Sequence, residues 1–178
     1  MKAKALKKGD LIGVFSPSSY VEAEKVETAR AFLESKGYRV FIHPQTLNRH
    51  HQSAGSDAEK LTALYDLLRD KKVKAIFAAG GGNFALHLLD DIDYKLVAKN
   101  PKILMGFSDV TALLNAFHAK TGLVTFHGPV LTWIPGQPKA MHDFNMGVLA
   151  GKTPSYPMAG ARVLRAGKAE GKLIGGNL

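Results

Sequence analysis

The chain has 178 residues, no cysteine, and 24 basic against 15 acidic residues, a formal charge of +9. At 46% hydrophobic and 22% charged, its composition is that of a globular domain rather than a disordered chain. The lack of cysteine excludes a disulfide framework, a thiolate metal site and a cysteine nucleophile, and no apolar run approaches the roughly 18 residues of a membrane helix.

Leu11–Phe15 predicts a strand, closed by the turn Ser16–Ser19. The apolar stretch after Gly9 is too short for a signal peptide, so a cytoplasmic location is expected. Glu22–Lys36 predicts a helix, because Val26, Ala29, Phe32 and Leu33 recur at helical spacing, and Gly37 stops it. Tyr38–Ile42 predicts a second strand, and the polar run Thr46–Gly55 a surface loop. Ser56 and Asp57 cap a helix reaching about Asp70, with Leu61, Leu64, Leu67 and Leu68 on one face. Ala75–Ala78 predicts a third strand ending in Gly80–Gly82, followed by short helices at Phe84–Leu89 and Tyr94–Lys99. Ile103–Phe107 predicts a fourth strand, Val110–Lys120 a helix stopped by Gly122, and Leu123–Phe126 a fifth strand. His142–Leu149 predicts a last helix.

Alternating strands and helices imply an α/β fold, a parallel sheet with helices on both faces. The nearly continuous apolar strands are those of a buried parallel sheet. The expected organisation is one α/β domain over residues 1–150. Residues 151–178, in which eight of 28 are Gly or Pro, read as a linker and the opening of a β-rich C-terminal unit, with short alternating stretches such as Arg162–Arg165. In such sheets the functional loops lie past the carboxyl ends of the strands. That edge collects Ser16–Ser19, Gly80–Asn83, Ser108 and His127–Pro129.

Ser108 follows an apolar strand and precedes a helix at once. A serine in that corner presents its hydroxyl above the sheet, with free helix N–H groups from Asp109 onward able to stabilise an oxyanion. The same pattern is met by a serine that only caps the helix, and the second glycine of the familiar elbow motif is missing. Gly80–Gly82 followed by Asn83 permits close backbone approach, as an oxyanion donor, as a phosphate cradle, or as nothing more than a tight turn. It matches neither a P-loop nor a dinucleotide fingerprint. Among the histidines His118 lies roughly 15 Å along the helix from Ser108, and His127 ends the fifth strand on the same edge. His127 is therefore the one in-chain candidate for a base, though the pattern better fits a loop histidine held by backbone hydrogen bonds. No His, Asp or Glu spacing suggests a metal site. The lysines are scattered rather than striped, so nucleic acid is not an expected partner. A basic surface is compatible with an anionic small ligand, and a non-catalytic α/β domain binding such a ligand is the alternative to an enzyme.

These stretches together resemble the serine carboxypeptidases of the LD-carboxypeptidase group, which include the microcin C immunity proteins. The matching residues are Leu6–Ser19, Gly80–Asn83, Leu88–Tyr94, Asn100–Lys102, Gly106–Leu114, Lys120–Gly122, His127–Pro129 and Gly175–Leu178. The resemblance implies a Rossmann-like (flavodoxin-like) N-terminal domain, no cofactor, and a Ser-Glu-His mechanism. Ser108 matches the nucleophile, and the backbone N–H groups of Asp109 and of Gly81 or Gly82 match the oxyanion hole. Ser16, Asn83 and His127 fall in the expected substrate loops. The glutamate and histidine are implied to lie beyond Leu178, in a second domain. Muropeptide-cleaving members carry an arginine and a glycine where this chain has Ala79 and Asn83. The glycine-glycine-x-asparagine form resembles the immunity branch, which cleaves peptidyl-adenylates. The expected partners are thus a peptide or peptidyl-nucleotide substrate and a second copy in a homodimer, with no membrane.

Overall fold

Three apolar strands lie side by side: β3 (Val73–Ala78) runs between β1 (Leu11–Phe15) and β4 (Ile103–Gly106). β2 (Arg39–Ile42) and β5 (Phe126–His127) complete the order β2-β1-β3-β4-β5, and every neighbouring pair is parallel. This is the flavodoxin-like strand order, whose switch point lies between β1 and β3. The computed structural model describes residues 1–153, 160, 162–168 and 170–176.

Side chains alternate across the sheet and build two cores. Ile12, Val14, Ala75, Phe77, Ile103 and Met105 pack with Val26, Ala29 and Leu33 of α1 (Ala23–Ser35) and with Met146 and Leu149 of α5 (Lys139–Leu149). On the other face Phe15, Ile76, Ala78 and Leu104 pack with three further helices. These are α2 (Asp57–Arg69), α3 (Tyr94–Lys99) and α4 (Thr111–Thr121), which supply Leu64, Leu67, Leu68, Val97, Leu113, Leu114 and Phe117. Parallel strands need crossover helices, which is why both faces are covered.

The helix ends follow their local chemistry. Ser56 and Glu59 form a reciprocal capping box on α2, and the hydrogen bonds from Ser56 hold the Glu59 carboxyl below its ordinary range. Gly37 (φ +86) and Gly122 (φ +70) stand just past α1 and α4 in conformations that only glycine adopts readily.

Six sequence expectations about element bounds and burial are corrected. The fifth strand is the two residues Phe126–His127, not Leu123–Phe126: Leu123 is drawn into the α4 core and the Val124 N–H donates to the Met1 carbonyl. The segment 84–89 makes one tight turn at Ala85–Leu88, and the loop after β2 opens with another at Pro44–Leu47. β3 starts at Val73 and α5 at Lys139, both earlier than expected. On α2 the fully buried polar neighbour of the apolar face is Lys60, whereas Leu61 is only partly buried. Lys60 Nζ donates to Asp57 and sits 5.3 Å from the Phe84 ring centroid. Among the described residues after Gly151 there is no strand, and Val163, Leu164 and Leu173 are exposed. Among the described residues Arg162–Arg165 pairs with no strand.

α5 docks on α1 through His142, which is buried and meets the Phe32 ring edge-on at 5.0 Å between centroids. Burial, aided by nearby Lys36, Lys8 and Lys139 and opposed by Asp143, holds its pKa below the ordinary value. The unfolded chain therefore binds this proton more readily than the folded one. His142 contributes stability in full above about pH 6.5 and loses it as pH falls below that value. Denaturation midpoints at pH 7.5 and 5.5 are expected to differ less in His142→Leu than in the parent chain.

Candidate active site

The carboxyl edge is assembled by the register of the central strands. Phe15 pairs with Ala78, the Ala79 N–H donates to the Phe15 carbonyl at 2.9 Å, and the Ser19 N–H donates to the Gly81 carbonyl at 3.1 Å. β3 and β4 are direct neighbours, so the loop after each opens beside the other.

Ser108 stands at the corner between β4 and α4. Phe107 is fully extended (φ −151°, ψ −171°), Ser108 turns to φ +59°, and a tight turn over Ser108–Val110 leads into α4. A left-handed conformation at a residue other than glycine costs roughly 1–2 kcal/mol. Among the described residues only His51 shares it. The corner also needs Gly106, where a Cβ would come within 2.7 Å of Val110 Cγ1 and 3.2 Å of Ala78 Cβ. Ser108 is half-buried, and among the described residues its hydroxyl makes no hydrogen bond.

The glycine turn lies against this corner. A Cβ on Gly81 would stand 3.3 Å from Ser108 Cβ, 3.4 Å from its Oγ and 3.9 Å from the Asp109 nitrogen. Gly82 (φ +144°) faces the other loop, where a Cβ would run into Ser19 Oγ and come within 2.5 Å of Ser18 Oγ. Gly81 is therefore the glycine that adjoins Ser108, while Gly82 lets the turn close over Ser18 and Ser19.

The remaining sequence candidates divide. Ser16 is buried, its hydroxyl donating to the Thr46 carbonyl and its backbone exchanging hydrogen bonds with the Gln45 amide, so the scaffold occupies its polar groups. Asn83 is exposed beside Gly82. His127 is exposed at the end of β5, with Nε2 3.1 Å from Thr111 Oγ1 rather than paired with Ser108. His118 contacts the Leu123 carbonyl and His142 is buried between α1 and α5, so neither reaches the corner.

Sequence reasoning missed three features. The Asp109 side chain, treated only as the owner of a backbone N–H, accepts hydrogen bonds from Ser18, Phe84 and Ala85. Ser18 is fully buried beneath the turn. Trp133 is 57% exposed and lies 4.9 Å from the Phe107 ring. It borders two clefts: one of about 360 Å³ with Phe107, His127 and Met141, and one of about 370 Å³ with Ser19, Tyr20, Gly80 and Gly81. A tryptophan just after a His-Gly-Pro turn was the available signal. Among the described residues no group of three or more His, Cys, Asp or Glu is placed to hold a metal, and no helix is long and apolar enough to cross a membrane.

Residues 12–128 match the family model of the LD-carboxypeptidase N-terminal domain. The chain belongs to this family. It is 40% identical over 182 residues to the "Probable murein peptide carboxypeptidase" of Bacillus subtilis, an alignment covering 99% of this chain and 57% of that protein. It is 34% identical over 132 residues to the microcin C7 self-immunity protein MccF of Escherichia coli, covering 72% of this chain and 38% of the relative. The solved structure of microcin C7 self-immunity protein MccF in complex with aspartyl sulfamoyl adenosine superposes with a TM-score of 0.80 at 28% identity, covering 94% of this chain and 56% of that one. The chain thus spans little more than half the length of the first of these relatives.

Two stability measurements check the corner. Ser108→Gly is expected to melt higher than Ser108→Ala, by a margin of about 1 kcal/mol, because glycine relieves the left-handed strain and alanine does not. Gly82→Ala is expected to destabilise by about 2 kcal/mol or more, since it combines a glycine-only φ with overlap on two serine side chains.

Proposed function

We propose that the chain is the nucleophile-bearing part of a serine carboxypeptidase. The observation that carries this reading is the left-handed backbone of Ser108 between strand and helix, with Gly81 and the Asp109 nitrogen beside its side chain. In the proposed reaction a base takes the Ser108 Oγ proton as Oγ bonds to the carbonyl carbon preceding the carboxy-terminal residue. The resulting oxyanion accepts hydrogen bonds from the Asp109 N–H and from an N–H of the turn at Gly81 or Gly82. Collapse of this intermediate breaks the bond to the leaving residue, which receives the proton, and water then releases the acyl group from Ser108 by the same route.

His127 is held by Thr111 and is not assigned the base. The base and its orienting carboxylate are proposed to be the histidine and glutamate that the family resemblance assigns to the portion beyond Leu178. Residues 1–150 then form the nucleophile domain and residues 151–178 the connection to that portion. The clefts on either side of Trp133 give room for the substrate on both sides of the reacting bond.

The finer reading is cleavage of a peptidyl-nucleotide, as in microcin immunity. It is supported by Ala79 and Asn83 around the glycine turn and by the likeness to a protein solved with aspartyl sulfamoyl adenosine. A second reading, removal of a terminal D-amino acid from a muropeptide, is favoured by the 40% identity to a murein peptide carboxypeptidase.

The test uses the protein extended to the length of its relatives. It assays release of the carboxy-terminal group from a peptidyl-adenylate analogue and of D-alanine from a muropeptide tetrapeptide. Turnover is expected on the former and is expected to vanish in Ser108→Ala with no loss of fold. The 178-residue chain alone is expected to be slower by a factor on the order of 10⁴–10⁶. Robust Ser108-dependent turnover by the short chain would promote His127 to the base, and turnover on the muropeptide alone would select the second reading.

A further inference from the structure

We infer that the Asp109 carboxylate, together with the Ser18 hydroxyl, is the positioning device that locks the glycine turn against the Ser108 corner. The inference rests on the serine-carboxypeptidase reading above. Three donors converge on one oxygen: Asp109 Oδ2 accepts from Ser18 Oγ at 2.5 Å, from the Phe84 N–H at 2.9 Å and from the Ala85 N–H at 2.8 Å. The donors come from two different loops, after β1 and after β3, and the acceptor from a third, after β4. Ser18 Oγ in turn accepts from the Phe84 N–H at 3.1 Å, and Ser18 is fully buried. One carboxylate thereby joins all three central loops of the carboxyl edge.

An acidic residue in the first turn of a helix ordinarily accepts from N–H groups of its own helix. Asp109 does not: its partners lie 24, 25 and 91 residues away in the chain. Bonds to a carboxylate are short and about twice as strong as neutral ones, so this junction is stiff. The glycine turn is pinned on both sides, by the Ser19 N–H on the Gly81 carbonyl and by Asp109 on Phe84 and Ala85. The first pin is on Gly81 itself, which stands against Ser108, and Gly82 lies between the two pins. An oxyanion donor must stand about 3 Å from where the charge develops. A displacement of about 1 Å costs on the order of 10² in rate. Asp109 therefore acts through the turn it holds, and its carboxylate does not touch the reacting atoms.

The test uses the protein extended to the length of its relatives, with kcat and KM on whichever of the two substrates it cleaves. It adds the affinity for a peptidyl boronic acid, whose adduct with Ser108 carries the tetrahedral oxygen. Asp109→Ala is expected to lower kcat about 10²-fold and to weaken the boronate by a similar factor, with KM changed by less than about twofold. Asp109→Asn keeps an acceptor oxygen and is expected to recover to within about tenfold of the parent. Ser18→Ala is expected to fall between the two. A wild-type kcat in Asp109→Ala, or a loss confined to KM, would overturn the inference. So would a loss of rate that tracks only the fraction of folded protein while boronate affinity per folded molecule stays unchanged. Should Asp109→Ala fail to fold, Ser18→Ala decides: unchanged kcat and boronate affinity there would equally overturn it. Ser108→Ala separates the two levels. Retained turnover in that variant refutes the nucleophile itself, whereas an inactive Ser108→Ala beside fully active Asp109→Ala and Ser18→Ala refutes only the positioning role.

Discussion

Ser108 occupies a backbone conformation that an isolated serine avoids, at a cost of roughly 1–2 kcal/mol, and its surroundings hold it there. On the strand side Gly106 leaves room for Val110 to fold back onto Ala78. On the helix side Val110, Leu113, Leu114 and Phe117 are buried in the core beneath α4. Burial of each such side chain stabilises by about 1.5–3 kcal/mol. Docking of the helix therefore outweighs the strain of the turn that leads into it. The corner leaves the half-buried Ser108 at the carboxyl edge, between a buried strand and a buried helix.

That edge is rigid because polar groups around the sheet are satisfied internally. The Gln45 amide bridges Ser16 and the Ala54 carbonyl under the β1 loop. At the opposite end Lys102 Nζ donates to the Asp70 and Val73 carbonyls, and burial lowers its pKa. Lys60, fully buried, joins Asp57 to the face of Phe84, next to the glycine turn. Among the described residues no buried side-chain nitrogen or oxygen is without a partner. Loops anchored this way keep a fixed separation, and a fixed separation is what an oxyanion site demands.

The corner and the turn are two of the parts that acyl transfer needs, and a serine hydroxyl without a base is a weak nucleophile. Three of the described histidines have partners other than Ser108: His127 with Thr111, His118 with the Leu123 carbonyl, His142 against Phe32. The proposed reading, with the nucleophile and the base on different parts of the protein, accords with a chain that covers 57% of a relative's length.

Local chemistry made most of the fold legible. Short, nearly continuous apolar runs marked the strands, 3.6-residue spacing marked α1 and α2, and Ser56, Gly37 and Gly122 marked helix ends, because each depends on neighbours a few residues away. The abrupt change from apolar strand to helix located the Ser108 corner for the same reason. Tertiary structure alone decided the rest. The left-handed φ of Ser108 carries no glycine or asparagine to announce it, and is held in place by the packing of β4 and α4 on either side. Lys60 looks like a surface lysine until Phe84 and Asp57 close over it. The Asp109 carboxylate looks like an ordinary first-turn acid. Its partners are set by the parallel pairing of β1, β3 and β4, which brings together loops up to 91 residues apart. Sequence spacing encodes a residue's near neighbours, whereas a contact across the sheet exists only once strand order and register have been chosen.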